Sequence, residues 1–250
     1  MKKIGILLFA AFTLIACKEK DAEKDADSNV VTGELDEKAT TNDFGWEVLF
    51  DGTSYDNWKG YLADDVYSNW SIEDGAMAFT PGEEGGKNII SKNKYTNFVL
   101  SLEWKISEGG NSGIFWGVHE DPKFNEAYQT GPEIQVLDNE KHPDAKIGAG
   151  THSAGALYDM IAPPQDVTNP AGEWNLCVLE VNHKTNLGKV TLNGSELFTF
   201  PVNGEKWDRM VAGSKFADWE GFGAYQTGHI GLQDHSDKVW YRNIKIKSLD

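Results

Sequence analysis

The sequence predicts an all-β protein, a β-sandwich or jelly roll with one short helix. Short runs rich in apolar side chains follow one another, and turn signals separate them roughly every 8–12 residues. Most runs alternate apolar and polar residues, which is typical of strands packed on a core by one face. One stretch has helical spacing, and no internal repeat or second domain boundary is evident. Many short strands with almost no helix are the pattern of sandwiches and jelly rolls.

Glycine-containing turns separate the predicted strands of the first half. The clearest strand is 98–106, where five apolar side chains point one way and Ser101, Glu103 and Lys105 the other. Asp74-Gly75 is a two-residue turn signal and predicts a hairpin. The predicted strands of this half are 46–50, 70–73, 76–80, 98–106 and 114–118.

The second half continues the pattern and contains the helix. Asn193-Gly194 is a second two-residue hairpin signal, and the helix is predicted at 205–213. In the last strand Trp240 is expected to face the core, and Arg242 shares its register, so Arg242 requires a polar or charged partner. The predicted strands of this half are 133–138, 156–161, 174–183, 188–192, 196–200, 229–234 and 239–249.

Residues 1–16 have the features of a lipoprotein signal peptide. Two lysines precede an apolar run that is too short to cross a bilayer comfortably, and Leu14-Ile15-Ala16-Cys17 resembles a bacterial lipobox. The resemblance implies cleavage before Cys17 and its acylation; a plain secretory signal is the alternative, and a transmembrane anchor is less favoured. We expect a lipid-anchored protein of the bacterial cell envelope, at the outer membrane, facing the periplasm or the outside.

Residues 17–43 are predicted to be a disordered acidic tether, and 44–250 the folded domain. The tether has charged and small polar residues but no aromatic one, so it cannot bury enough apolar surface to order itself. The net charge of −16 becomes −18 without residues 1–16. Such acidity argues against nucleic acid and anionic membrane surfaces as partners, and the lipid anchor is the only membrane contact expected.

Cysteine usage and motifs exclude several classes of site. If Cys17 is acylated, Cys177 is the one thiol left, which excludes an intrachain disulfide and a cysteine metal site. No Walker loop, dinucleotide fingerprint or zinc motif is present.

The strand 133–138 is the best candidate for a site. Glu133 and Gln135 share its polar face, Asp138 ends it, and His142 and His152 follow. A carboxylate and an amide beside further acids and histidines suit a hydroxyl-rich ligand. A half-buried strand with a solvated outer face is the alternative. The spacing is similar to the Glu-x-Asp-x-x-Glu strand of sandwich-fold glucanases, but the amide at 135 weakens a standard two-carboxylate glycosidase.

Two further stretches combine aromatic and polar groups. Trp174 lies between Glu173 and Asn175, and near the end of strand 229–234 Gln233 and His235 are expected to share one face, with Asp234 on the other. Aromatic rings stack on sugar rings, while carboxylates and amides bind hydroxyls.

Five motifs occur in order along residues 44–250. They are LFDG at 49–52 with Trp58, GNSGI at 110–114, GPEIQVLDN at 131–139 with HPD at 142–144, GALYD at 155–159 with PAGEWN at 170–175, and GLQDH at 231–235 with RNI at 242–244. Together they resemble the 3-keto-disaccharide hydrolase family, also known as domain of unknown function 1080. Ser236, where a glycine is expected, is the one departure.

The resemblance implies a concanavalin A-like, LamG-like jelly roll that acts on sugars oxidised at carbon three. A ketone there acidifies the hydrogen on carbon two, so a base can remove it and the group on carbon one leaves by elimination. Water then adds back, and the glycosidic bond is cleaved. This chemistry requires a base, an electrophile for the enolate oxygen and an acid for the leaving oxygen.

The family resemblance supports positions more strongly than roles. Glu133 or His235 is expected as the base, and Asp138 or His142 as the acid. A divalent metal could be the electrophile, with Glu133, His142 and His235 as candidate ligands, but the sequence leaves a metal requirement unknown. The residues expected to bind the oligosaccharide or 3-keto-glycoside are Asn111, Gln135, Tyr158, Trp174, Asn175, Gln233 and Arg242.

Two other functions use the same fold. A non-catalytic, lectin-like module would bind glycans with aromatic and amide side chains and would have no reason to gather Glu133, Asp138, His142 and His235. An ordinary glycoside hydrolase would act on unoxidised glycans, and Gln135 weakens that alternative.

Overall fold

The computed structural model describes residues 45–82 and 86–250. They contain thirteen strands, three 3₁₀ turns and one α-helix. The predicted signal peptide, Cys17 and the whole predicted tether lie outside the described residues. The strands are β1 (Glu47–Phe50), β2 (Trp58–Gly60), β3 (Trp70–Glu73), β4 (Ala76–Phe79), β5 (Ile89–Tyr95), β6 (Phe98–Ile106), β7 (Asn111–Val118), β8 (Glu133–Leu137), β9 (Asn175–Asn182), β10 (Leu187–Leu192), β11 (Ser195–Phe200), β12 (Gly228–Leu232) and β13 (Val239–Ser248), and helix α1 is Gly204–Ala212.

The strands form two antiparallel sheets. The larger has eight strands in the order β11-β10-β9-β6-β13-β4-β3, with β1 paired to β13, and the smaller has five in the order β2-β5-β12-β7-β8. Neighbours in the sheets are often far apart in the chain, as β13 is from β6. The predicted jelly-roll β-sandwich with one short helix is therefore confirmed.

The main core lies between the two sheets. The inward side chains of β6, including Leu100, Leu102 and Trp104, join one apolar cluster with Ile134 and Val136 of β8. A second, smaller cluster of Tyr61, Ile90, Phe115, Val118 and Ala127 lies on the opposite face of the smaller sheet. Strands β5 and β7 therefore contribute side chains to both clusters. Where both faces of a strand are buried, its sequence does not alternate between apolar and polar residues.

The two hairpin signals are confirmed. Asp74 and Gly75 have φ angles of 49° and 74°, and Asn193 and Gly194 have 49° and 81°. Two consecutive left-handed residues are what a type I′ turn requires, and Asn-Gly and Asp-Gly adopt it most readily. Each pair joins neighbouring antiparallel strands, β3 to β4 and β10 to β11. Helix α1 also lies close to its predicted bounds.

Strands β2 and β5 are missing from the predicted set, and the predicted strand 156–161 is wrong. Strand β5 was not predicted, because Ile89 and Ile90 are buried on opposite faces and the rest of its length is largely exposed, so no alternation marks it. The predicted strand 156–161 is a tight turn in which Leu157 makes isolated bridges to Ile134 and Ile161. Asp159 has a φ of 61°, which an extended strand does not accommodate.

The predicted register of the last strand is wrong in its first half. A bulge shifts the pairing of β13 with β6 between Arg242 and Lys245, and Asn243 adopts a φ of 52°. The inserted residue exchanges the two faces of the strand. Tyr241 therefore points into the core, whereas Trp240 and Arg242 lie on the outer face of the larger sheet.

Within residues 45–82 and 86–250, no helix is long and apolar enough to cross a membrane.

Candidate active site

A cavity of about 460 Å³ adjoins the outer face of the smaller sheet, a volume within the range of small-molecule sites. Strands β7 and β8 contribute Asn111, Glu133 and Gln135, the chain after β12 contributes residues 233–236, and the segment after α1 contributes a lysine and three aromatic rings. The lining residues are Gly86, Asn88, Asn111, Glu126, Tyr128, Gly131, Glu133, Gln135, Tyr158, Lys215, Phe216, Trp219, Phe222, Gln233, Asp234, His235 and Ser236.

Glu133 is a buried acid of this cavity, with 7% of its surface exposed. Burial raises the pKa of its carboxyl to about 8, and the positive charge of Lys215 partly offsets that rise. Gly113 on the neighbouring strand makes room for it, because a Cβ there would lie 2.0 Å from Glu133 Oε1. Gly113 pairs with Gln135 across the β7–β8 ladder, and only a glycine at that position leaves room for the Glu133 side chain, which lies diagonally beside it.

Gln135 positions the Glu133 carboxyl. One end of its amide lies 3.0 Å from both Glu133 Oε1 and the Ser112 carbonyl oxygen, which are both acceptors. That end must be the nitrogen, because only the NH₂ group donates two hydrogen bonds. The predicted shared face of Glu133 and Gln135 is confirmed, and it faces the cavity rather than bulk solvent.

Tyr158 reaches the cavity along the free edge of β8. The Tyr158 amide donates to the Glu133 carbonyl at 3.0 Å, and the Gly155 amide donates to the Gln135 carbonyl at 2.8 Å. The turn that replaces the predicted strand 156–161 therefore covers this edge and places Tyr158 beside Glu133. Burial, followed by the charge of Glu133, raises the pKa of the Tyr158 hydroxyl, so it remains a proton donor.

Lys215 joins this group from a distant part of the chain. Its Nζ donates to Tyr158 Oη at 3.1 Å and lies 4.1 Å from the centre of the Tyr158 ring. Its backbone amide donates to Asp159 Oδ2 at 2.7 Å. The turn after β8 thus anchors the segment after α1, and the cation lies close enough to lower the pKa of Glu133.

A histidine–aspartate pair supports Tyr158 from behind. His152 Nε2 lies 2.8 Å from Asp159 Oδ1, and its ring packs on the Tyr158 ring with centres 4.4 Å apart. Burial would raise the pKa of Asp159, but the hydrogen bonds from His152 and Lys215 outweigh it and lower that pKa. His152 is not a lining residue, so we assign it a positioning role.

Two more acids line the cavity, and Asn88 connects them. Asn88 Nδ2 donates to Glu126 Oε2 at 2.6 Å, and its Oδ1 accepts from the Asp234 amide at 3.2 Å. Burial raises the pKa of both carboxyls, and the charge of Asp234 raises that of Glu126 further. Acids in this environment retain a proton more readily than exposed ones.

Asn111 and Gln233 present unpaired oxygens. Among the described residues, the buried side-chain atoms without a hydrogen-bond partner are Asn111 Oδ1, Gln233 Oε1 and His152 Nδ1. The first two belong to residues that line the cavity and are only 3% and 8% exposed. Buried polar groups are almost always paired, so these two oxygens are acceptors available to a ligand's hydroxyls.

Asp234 and His235 depart from the predicted arrangement. Strand β12 ends at Leu232, so the alternation expected for Gln233, Asp234 and His235 does not apply, and all three line the cavity. Asp234 Oδ2 accepts from the Lys87 amide at 2.7 Å, while His235 is exposed at the mouth.

Asp138 and His142 do not line the cavity. The Asp138 carboxylate accepts hydrogen bonds from the backbone amides of Gly109, Glu140 and Lys141 and so fixes the turn that follows β8. His142 Nδ1 accepts from the Asp144 amide at the start of a 3₁₀ turn, and its ring centre lies 6.4 Å from that of His235. The Asp138 carboxylate is therefore engaged with the backbone and is not part of the cavity lining.

Trp174, Asn175 and Arg242, which the sequence analysis expects to bind substrate, lie away from the cavity. Arg242 forms an ion pair with Glu103 at 2.6 Å, and its guanidinium lies 4.0 Å from the Trp174 ring centre, on the larger sheet. Asn175 is fully buried, where its side chain bonds Asn169 and Asn193. The bulge in β13 puts Arg242 on the outer face, and none of the three lines the cavity.

The metal candidates do not form a metal centre. Within the described parts of the chain, no group of three or more His, Cys, Asp and Glu side chains is placed to share a metal ion. Glu133 and His235 line the cavity, but His142 is engaged with the backbone. The residues present do not fit a protein-held divalent metal, so we derive no step through one.

Several cavity residues were missed by the sequence analysis. Nothing local marks Glu126, which lies in an irregular segment. The segment KFADWEGFGAY at 215–225 carried a signal, because its aromatic residues recur every third position among glycines and fit neither strand nor helix. The missed lining residues are Gly86, Asn88, Glu126, Tyr128, Gly131, Lys215, Phe216, Trp219, Phe222, Asp234 and Ser236.

Comparison with known proteins identifies relatives over most of the chain. A family model described as 3-keto-alpha-glucoside-1,2-lyase-like domain matches residues 45–247. A Bacteroides thetaiotaomicron protein named 3-keto-disaccharide hydrolase is 38% identical over 232 residues, covering 82% of this chain and 79% of the relative.

Solved structures from Parabacteroides distasonis share the fold. One, described as a candidate glycosyl hydrolase, has a TM-score of 0.77 at 30% identity and covers 85% of this chain and 99% of its own. A second has a TM-score of 0.61 at 27% identity and covers 82% of this chain and 99% of its own.

Proposed function

The chain belongs to the 3-keto-alpha-glucoside-1,2-lyase-like family, and we propose that it cleaves the glycosidic bond of 3-keto-glycosides by elimination and hydration. Hydrolysis of a glycosidic bond follows from the family and from the relative named 3-keto-disaccharide hydrolase. The observation that carries the elimination route is Glu133, a buried carboxyl on the cavity face whose pKa is raised to about 8. A base with a pKa near the working pH combines an ionised fraction with high proton affinity.

In the proposed reaction, Glu133 removes the proton on carbon two of the keto sugar. The electron pair forms an enolate with the carbon-three ketone, then expels the oxygen on carbon one, leaving a double bond between carbons one and two. Water adds to carbon one, and carbon two regains a proton. The net reaction consumes one water and yields the 3-keto sugar and the free alcohol.

Lys215 and Tyr158 are suited to stabilise the enolate oxygen. The ammonium of Lys215 donates to Tyr158 Oη at 3.1 Å, and both groups line the cavity with Glu133. A preorganised cation and hydroxyl near a developing negative charge lower the barrier most where water is excluded. The unpaired oxygens of Asn111 and Gln233 would accept hydrogen bonds from the sugar hydroxyls.

Glu126 and Asp234 are suited to protonate the leaving oxygen. Both line the same cavity, Asn88 connects them, and burial raises the pKa of each. Neighbouring carboxyls of this kind hold a proton at a pH where isolated ones would not. This pair replaces Asp138 and His142 as the acid in our proposal.

An ordinary glycosidase remains the second candidate, because the cavity contains three carboxyls. Glycosidases of that type need two carboxyls at a set separation across the bond. The strand neighbour of Glu133 is the Gln135 amide, which positions Glu133 instead of acting as its partner. A binding module would have no use for a buried acid with a raised pKa.

We also propose that the enzyme works in the bacterial cell envelope, lipid-anchored through Cys17. Support for this location comes from the lipobox-like stretch and the short apolar run before it.

The experiment that tests the proposed reaction is turnover of a 3-keto disaccharide by residues 44–250 in heavy water, followed by proton NMR, with and without a chelator. We expect release of the second sugar and entry of deuterium at carbon two. The unoxidised disaccharide is the matched control and should not be cleaved. Cleavage of both disaccharides without exchange at carbon two would favour the ordinary glycosidase.

A further inference from the structure

One wall of the cavity consists of aromatic rings that no step of the proposed reaction uses. Phe216 and Phe222 stack with centres 3.9 Å apart, and Trp219 stands nearly perpendicular to both. Tyr128, from the other side, lies 5.9 Å from Trp219. All four residues line the cavity. We call the outer two, Tyr128 and Trp219, the aromatic rim.

The cavity changes in character from its buried end to this rim. Asn111 and Glu133 are 3% and 7% exposed, whereas Tyr128 and Trp219 are 36% and 37% exposed. Exposed aromatic side chains are few in the described part of the chain, and these two lie together at one opening. Large exposed rings at a cavity mouth indicate a surface that a ligand covers.

The rings form a continuous path between the two ends. Tyr158, beside Glu133, lies 6.3 Å from Phe216, which lies 5.1 Å from Trp219. A substrate whose reacting ring lies against Glu133 would therefore extend its other part along this path to the rim. That other part is the leaving group, because the proton on carbon two and the bond to be broken belong to the reacting ring.

The acid proposed for the leaving oxygen lies next to the rim. Glu126 immediately precedes the 3₁₀ turn Ala127–Gln129, and Tyr128 is in that turn. The Glu126 amide donates to Gln129 Oε1 at 3.0 Å, which fixes the turn. The same short element thus presents a proton donor and an aromatic ring side by side, as a leaving-group site requires.

We propose that Tyr128 and Trp219 form a leaving-group subsite that binds a ring-shaped aglycone, either a second sugar or an aromatic group, by stacking. Sugar rings and aromatic groups both offer apolar faces, and the preformed packing of Trp219 on two phenylalanines limits the entropy lost on binding. The subsite rests on the proposed function, since it assumes that a 3-keto-glycoside is cleaved in this cavity.

The test compares two substrates that differ only in the aglycone, phenyl and methyl 3-keto-α-glucoside, in wild type, Trp219→Ala and Tyr128→Ala. We expect the ratio of kcat/KM for phenyl over methyl to fall roughly tenfold in Trp219→Ala and severalfold in Tyr128→Ala, because a stacking contact is lost for one substrate only. Trp219→Phe retains a ring and should preserve most of the ratio.

Leu176→Ala is the matched control, since Leu176 is 42% exposed on β9 of the other sheet. Its ratio should equal that of wild type. An unchanged ratio in both rim variants, with wild type active on both substrates, would overturn the subsite but leave the proposed function standing. Wild type that cleaves neither substrate would overturn both. Thermal melting shows whether each variant folds, and Tyr128→Ala tests the rim separately if Trp219→Ala does not fold.

Discussion

The outer faces of the two sheets carry similar residues and use them differently. On the larger sheet, Glu103 pairs with Arg242, and Arg242 and Lys105 pack on the Trp174 ring. On the smaller sheet, Glu133 is buried at a cavity with a raised pKa, beside amides whose oxygens have no partner. Both faces therefore combine carboxylates, a cation and aromatic rings.

What distinguishes the two faces is whether the polar groups satisfy one another. Glu103 accepts hydrogen bonds from both Arg242 and Asn243, so its charge is neutralised within the protein. The polar neighbour of Glu133 is the uncharged Gln135 amide. The cation of this site, Lys215, is a separate residue of the cavity lining. A polar residue whose hydrogen bonds are complete stabilises the fold, whereas a buried one with hydrogen-bonding capacity left can act on a ligand.

The largest expected difference between the two faces is the effect on kcat/KM of replacing the glutamate that each one carries. Glu133→Gln should lower kcat/KM for a 3-keto-glycoside by about 10³-fold, because the base is lost. Glu103→Gln, the matched control, should change it less than about twofold. Steady-state kinetics with both purified variants measures the contrast.

Thermal melting separates a catalytic loss from misfolding in Glu133→Gln. The folded pKa of about 8 lies above the ordinary value of 4.5, so ionisation of Glu133 costs stability as the pH rises between those values. The glutamine variant carries no such cost and should melt at or above the wild-type temperature at pH 8. A variant that melts well below wild type there would contradict the assignment of a buried, protonated acid.

The next effect concerns Lys215 and the pH profile. The base must be ionised, so kcat/KM should rise about tenfold per pH unit up to about pH 8 and then level off. Lys215→Met should lower the plateau about 10²-fold. It should also move the rising limb to higher pH, because Lys215 lowers the pKa of Glu133.

Lys238→Met is the control for Lys215→Met, since Lys238 pairs with Glu73 on the larger sheet. Its profile should match that of wild type. If kcat/KM of the wild type levels off near pH 6.5 instead of pH 8, the base is a histidine and not Glu133.

The smallest effect is expected for Arg242→Ala. Loss of a partly exposed ion pair and of a cation–π contact should lower the free energy of unfolding by about 1 kcal/mol, with kcat/KM within about twofold of wild type. Chemical denaturation and kinetics on the same preparation measure both quantities. A tenfold loss of activity with unchanged stability would return Arg242 to the substrate site.

Part of the fold and of the site could be predicted from local sequence. Asn193-Gly194 and Asp74-Gly75 act through their own backbone angles, so their hairpins follow directly. Glu133 and Gln135 share a face because alternation is a property of a single strand. The five family motifs also predicted the correct class of β-sandwich. They did not distinguish Glu133, which lines the cavity, from Trp174 and Arg242, which do not.

Other features depend on contacts between distant parts of the chain. The bulge at Asn243 exchanges which side chains of β13 point to the core and which point outward. No sequence pattern within the strand predicts it. Lys215 reaches Tyr158 because the Lys215 amide bonds Asp159, 56 positions away in the chain. Strand β5 has no alternating pattern in its sequence, because Ile89 and Ile90 are adjacent apolar residues that are buried in two separate clusters.

The sequence by itself determined the all-β architecture, the hairpins and the acid–amide pair on β8, because turn angles and side-chain alternation act over a few residues. Only the tertiary structure decided which polar groups are satisfied and which remain available. Pairing and burial depend on neighbours from other strands, and they neutralise Glu103 while raising the pKa of Glu133. The cavity, with Lys215, Glu126 and the aromatic rim around it, arises from packing between segments that are far apart in the sequence.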